Sequence, residues 1–228
     1  DGVRGDLVEW AFTSEVLGGI ERKVTVYLPP GYRESENEYP LLIVHDGGNW
    51  LRQGLLNNTI DNLAGKRMQP LVVAFLEPRD EWWLEAGGTG TDAHARMLVE
   101  ELVPLLDARL RLRKGAQARG LMGTEGYGLA AIYAALEHPD VFGKVAMQSV
   151  QTGHGVEDAG MERSERQPKA DLDIYLDWSR WEIRNLDNGI DLGEESRRLA
   201  EALRAGGYEL AGGEVLDSAG WSGWRGKS

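Results

Sequence analysis

Apolar positions along the chain fall into short runs separated by turn-forming residues. Residues 7–13 and 23–28 mix β-branched and aromatic side chains with polar ones in partial alternation. That pattern predicts two antiparallel strands joined around Gly18-Gly19. Residues 41–45 and 71–76 are continuous apolar runs, suited to strands buried on both faces. Further strands are expected at 118–122, 144–148, 172–176 and 208–215. Between them, residues 55–64, 94–109, 129–137 and 194–205 carry apolar positions at helical spacing. Pro139 stops the third of these helices and Gly206-Gly207 the fourth. Strands alternating with helices predict an α/β chain with a mainly parallel central sheet of about eight strands. Helices should cover both faces, and the antiparallel pair should lie at the N-terminal side.

Composition narrows this picture. A chain of 228 residues with no internal repeat and thirty dispersed glycines is read as one folded domain, 1–228. Its N-terminus begins Asp1-Gly-Val without an initiator Met and reads as a trimmed end, so a longer parent protein is expected. The formal net charge of −12 repels phosphate backbones and anionic lipid, which argues against nucleic acid and membrane partners. No apolar run approaches the ~20 residues a membrane helix needs, so a soluble chain is expected. With no cysteine, disulfides and thiol chemistry are excluded.

The chemistry-bearing segment is Met122-Gly123-Thr124-Glu125-Gly126-Tyr127-Gly128, set between a strand and a helix. It has the outline of the G-x-S-x-G nucleophile elbow of α/β-hydrolases, with Glu125 where the serine stands. Tyr27-Leu-Pro-Pro-Gly-Tyr32, His45-Asp-Gly47, Glu101-Leu-Val-Pro104, His138-Pro-Asp-Val-Phe142 and Trp221-Ser-Gly-Trp-Arg225 accompany it in order. In these residues the chain resembles the putative esterase family, which includes esterase D, feruloyl esterases and enterochelin esterases. The resemblance covers nearly the whole chain and implies an α/β-hydrolase fold.

The resemblance also implies a serine nucleophile, a histidine base and a carboxylate that orients it. Their positions fall on Glu125, on Ala219 within Ser218-Ala-Gly-Trp221, and on Glu182, with Asp177 and Asp187 as weaker matches for the acid. Tyr127 stands where the elbow's second glycine is expected. Oxyanion-hole donors would be backbone N–H groups at Gly47 and Gly126. Only the acid of the triad is retained, so serine-type hydrolysis is not expected.

Other groups in the chain are no better placed to supply the chemistry. A carboxylate nucleophile still needs a histidine-activated water, and Ala219 offers no base. His45 and His154 are the histidines near the elbow mouth, and each is read first as a structural, hydrogen-bonded residue. No metal-ligand spacing and no dinucleotide loop is present, so neither metal nor cofactor is expected. Glu125 could fill the oxyanion hole; the preferred reading is a carboxylate at the helix N-terminus, where it gains ~0.3–1 kcal/mol. Trp50, Trp82, Trp83, Trp178, Trp181 and Trp221 are expected near the strands' C-terminal ends with Tyr127. A pocket would be lined by His45, Asp46, Tyr127, His154, Trp178, Trp181 and Trp221; the aromatics would suit a flat ligand or, preferably, pack against one another. The expected function is a non-catalytic esterase-family domain with a binding or structural role, its partner a ligand or a protein. The alternative is an ester hydrolase with a rearranged constellation of Glu125, His45 or His154, and Glu182. A third reading is an interaction domain whose partner binds away from the elbow. The sequence gives no compartment, and the resemblance admits export.

Overall fold

The computed structural model describes residues 4–78, 89–152, 169–185 and 189–215. Strands β1 (Asp6–Ser14) and β2 (Ile20–Leu28) form the expected antiparallel hairpin, with Gly18 and Gly19 both at positive φ in its turn. Then β3 (Leu41–His45) leads into α1 (Gly47–Arg52) and α2 (Leu56–Leu63), which cross back to β4 (Val72–Leu76). Next come α3 (Thr89–Met97), a π-helical turn (Leu98–Leu102) and α4 (Val103–Arg109). β5 (Arg119–Thr124), α5 (Glu125–Glu137) and β6 (Lys144–Gln148) follow. The chain continues through β7 (Asp173–Ser179), a small ribbon of β8 (Arg184–Asn185) and β9 (Ile190–Asp191), α6 (Leu192–Ala205) and β10 (Leu210–Val215).

The eight-stranded sheet runs β1-β2-β4-β3-β5-β6-β7-β10, antiparallel through β1, β2 and β4 and parallel from β4 onward. Right-handed crossovers then fix which helix covers which face. From β4 each crossover advances in one direction along the sheet, so α3, α4, α5 and α6 share a face. Only the β3-to-β4 connection runs backwards, which puts α1 and α2 on the other. The side-chain packing follows this division. A large core joins Ile43, Leu121, Met147 and Leu176 to Leu102, Ala131 and Leu199 of the first helix layer. A smaller one joins Tyr27, Val44, Val73 and Phe75 to Trp50 and Ile60. Helix α5, apolar on nearly every side, is buried from Ala130 to Leu136 in the middle of the first layer.

Three elements depart from the sequence pattern. The helix expected at 94–109 is broken by a π turn, because Pro104 has no N–H to give the carbonyl of Glu100. Within that turn Glu101 accepts hydrogen bonds from the Val16 N–H (3.0 Å) and the Ser14 hydroxyl, which fastens the β1–β2 hairpin. Helix α5 begins at Glu125, four residues before its apolar periodicity starts, and β7 extends to Ser179, paired with Val215. Among the described residues no helix is long and apolar enough to cross a membrane.

Candidate functional site

Three neighbouring parallel strands end in the same way. Asp46 after β3, Glu125 after β5 and Ser149 after β6 are non-glycine residues with φ of 55°, 50° and 49°. L-residues pay roughly 1 kcal/mol or more for this left-handed conformation. Each turn lies at the C-terminal end of its strand. At Glu125 the turn is forced by close packing: a Cβ on Gly123 would lie 2.4 Å from the Tyr127 carbonyl oxygen. The next tight contact belongs to Gly128, whose added Cβ would meet Val150 Cγ2 at 3.0 Å. At position 127 the backbone, and not the side chain, faces the strand. A tyrosine is therefore accommodated there, its ring beside that of His45 with centroids 6.5 Å apart.

Carboxylates dominate the electrostatics of these turns. Glu125 is half-buried and, among the described residues, its carboxylate has no hydrogen-bond partner. Burial, then the charges of Asp46 and Glu182, hold its carboxyl above the usual range. Burial also raises Asp46, against the opposing effects of two hydrogen bonds from Asn49 Nδ2 (2.9 and 3.1 Å) and the charge of Arg52. Glu182 is held by the Ser149 hydroxyl and the Ser179 N–H (2.7 Å), both donating to Oε1. Its Oε2 is buried and, among the described residues, accepts nothing. Glu125 thus faces the charges of Asp46 and Glu182, yet among the described residues no three His, Cys, Asp or Glu side chains are grouped to hold a metal ion.

His45 is fully buried and makes two contacts, Nδ1 to the Met122 carbonyl (3.0 Å) and Nε2 to His94 Nε2 (2.9 Å). A carbonyl can only accept, so the proton of His45 sits on Nδ1 and its Nε2 takes a proton from His94. His45 is thus the neutral Nδ1–H tautomer, and burial disfavours the cation on either ring. Burial pulls His45 down to about 4, the Met122 hydrogen bond opposes this, and the Arg22 charge reinforces it. His94, on α3, is lowered by burial and by the charges of His45 and Arg22. Nothing in its local sequence marked His94, since its partner lies 49 residues away. Ser149 was missed for the same reason, its acceptor Glu182 lying 33 residues further along the chain.

Packing accounts for the other described residues read from the sequence. Gly47 opens α1, where a Cβ would collide with the Phe75 backbone at 2.5 Å, so packing on β4 demands the glycine. Gly126 is different, because an added Cβ there meets nothing within 4 Å. Trp50 is buried in the smaller core and Trp178 in the larger, while Trp181 is 67% exposed. These three therefore form no single cluster. A cavity of about 220 Å³ is lined by Trp50, Met122, Gln148, Tyr175 and Asp177, with Glu125 not among its walls. Trp82, Trp83, His154, Asp187, Ala219 and Trp221 lie outside the described residues.

Comparison with known proteins agrees with this architecture. Among curated relatives, YjcH of Bacillus subtilis is 26% identical over 87% of this chain and 84% of its own length. YbbA of the same organism is 29% identical, over 54% of each chain. An endo-1,4-β-xylanase/feruloyl esterase of Xylanibacter ruminicola is 25% identical over 91% of this chain, which spans only 28% of that protein. Among solved structures, a ferulic acid esterase superposes with a TM-score of 0.78 over 99% of this chain and 95% of its own, at 16% identity. The enterobactin esterase of Shigella flexneri gives 0.77 over 100% of this chain and 60% of its own, at 20% identity. These likenesses and the eight-stranded sheet make the fold that of the α/β-hydrolases. With the family model described as putative esterase matching residues 14–226, the chain belongs to the putative esterase family.

Proposed function

We propose that this chain is a non-catalytic member of the family, which keeps the elbow scaffold for a binding or structural role. The observation that carries the reading is Glu125 itself. Its carboxylate occupies the strained turn after β5, faces Asp46 and Glu182, and among the described residues is given no donor or base. Acyl transfer at an elbow needs a nucleophile deprotonated by a neighbouring base and a cation-tolerant orienting acid beside that base. Burial and acidic neighbours favour the protonated carboxyl at Glu125, the form with least nucleophilic character. His45 does not substitute as base: its proton is committed to Met122 and its lone pair to His94. Glu182 remains held as an orienting acid would be, with one oxygen left without a described partner. In this reading Ala219 takes the place of the histidine that Glu182 would otherwise meet.

The test is hydrolysis of p-nitrophenyl acetate by the purified protein and by its Glu125→Ala variant. Both are expected to match the buffer rate. Turnover by the wild type that disappears in the variant would overturn the proposal.

A further inference from the structure

The two edges of the eight-stranded sheet are built differently. At β10 the consecutive glycines Gly212 and Gly213 sit at φ of 93° and 137°, which breaks the regular backbone that a partner strand would need. β1 is regular. All nine of its residues pair with β2 in unbroken register, without a bulge. It contains no proline and no lysine, the residues that ordinarily blunt an edge. Alternate residues of a strand aim their N–H and C=O groups to opposite sides, so about half of the β1 backbone groups point away from β2. Among the described residues no strand takes them up.

The side chains of this edge are those of a strand with a neighbour. Val8, Trp10 and Phe12 form a half-buried apolar row on the face of the large core, with the Arg109 guanidinium 5.0 Å from the Trp10 ring centroid. On the other face Leu7 is 48% accessible. Asp6, at the start of the strand, is paired with Arg33 at 2.8 Å. One charge stands in the middle, Glu9, and Lys23 lies nearby on β2, opposite Ala11. Both are exposed, and among the described residues neither takes part in an ion pair.

We infer that β1 is a self-association edge, to which a second copy of this chain adds its own β1, antiparallel about a two-fold axis through Trp10. A two-fold interface needs a patch complementary to itself, and this register provides one. It sets Val8 against the partner's Phe12 and Trp10 against the partner's Trp10, so the apolar row runs unbroken from one copy into the other. Glu9 faces the partner's Ala11, a side chain too short to obstruct it. Beyond that alanine, in the same row, lies the partner's Lys23. Two strand spacings separate the backbones, about 10 Å, which the two long side chains span. Symmetry supplies this ion pair twice. Moving the axis to Glu9 would set Glu9 against the partner's Glu9, and like charges directly opposite are destabilising. Moving it to Ala11 would leave Asp6 and Leu7 with no strand residue opposite. In the joined sheet the two elbows lie at opposite ends, and the inference is independent of their chemistry.

The test is a charge exchange read by sedimentation velocity, from about 1 µM to about 200 µM protein. Salt is held at about 0.15 M, where a Debye length of about 8 Å screens the net charge of −12 on each copy. The wild type should pass from monomer to dimer within this range. Glu9→Lys and Lys23→Glu, made separately, each set like charges together at both junctions and should weaken dimerisation roughly tenfold or more. An equimolar mixture of the two variants restores opposite charges at both junctions and should dimerise as the wild type does. That recovery also shows both variants to be folded, and it excludes an effect confined to one chain. A wild type that stays monomeric throughout overturns the inference. So does a dimer that neither substitution weakens, or a mixture that associates no more tightly than its components.

Discussion

The His45–His94 pair converts a local geometry into a measurable pH dependence of stability. His45 is buried with a pKa near 4 against an ordinary 6.5. The folded state therefore refuses a proton that the unfolded chain accepts. For a depressed group the sign is fixed: the stabilisation is complete above pH 6.5 and is lost as pH falls toward 4. At ~1.4 kcal/mol per pH unit the full loss is about 3.4 kcal/mol, of which roughly 2.4 kcal/mol falls between pH 7 and pH 4.5. His94, lowered in the same sense by burial and by His45, adds to this in the same window. Carboxylates titrate there too, so the measurement is a difference. Urea unfolding of the wild type is compared with that of a His45→Gln/His94→Gln variant at both pH values. The wild type should lose at least about 2 kcal/mol more than the variant on acidification. Equal losses would refute the neutral buried pair, as would a greater loss in the variant.

Two further expectations concern the elbow. Gly123→Ala places a methyl 2.4 Å from the Tyr127 carbonyl oxygen and should cost about 2–4 kcal/mol in urea unfolding. Gly126→Ala enters open space within α5 and should be neutral or stabilising by up to ~1 kcal/mol. Equal effects at the two glycines would contradict the turn geometry. Because burial, Asp46 and Glu182 raise the Glu125 carboxyl, its contribution to stability is present at low pH and lost as pH rises through the folded pKa. Glu125→Gln should therefore gain stability relative to wild type at pH 8 compared with pH 4. The gain should be under ~1 kcal/mol, since solvent screens a half-buried group. A thermal-shift difference independent of pH contradicts this.

The strand and helix content was legible because it is written in local periodicity. Leu41–His45 and Val72–Leu76 were read within a residue of their bounds, since a doubly buried strand cannot hide its apolar run. The elbow was legible through Gly123, whose lack of a Cβ the turn requires. What stayed hidden depends on distant partners. The role of His94 is set by His45 and Met122, and that of Ser149 by Glu182, none of which is near in sequence. Tyr127 looked like a loss of the packing glycine, yet the contact passes to Gly128 one residue on. The tryptophans could be counted from sequence, but Trp50 on α1 packs into the smaller core and Trp178 on β7 into the larger one, a division that depends on the topology.

The central claim is that the scaffold is retained and that the chemistry is missing at two positions. Its most direct test is the rate of p-nitrophenyl acetate hydrolysis across Glu125→Ser, Ala219→His and the two combined. The account predicts that each single variant stays at the buffer rate, because a serine without a base and a base without a nucleophile are both idle. The combined variant should turn over measurably above buffer. Turnover by Glu125→Ser alone, equal to that of the combined variant, would contradict the account by showing that a working base was present all along.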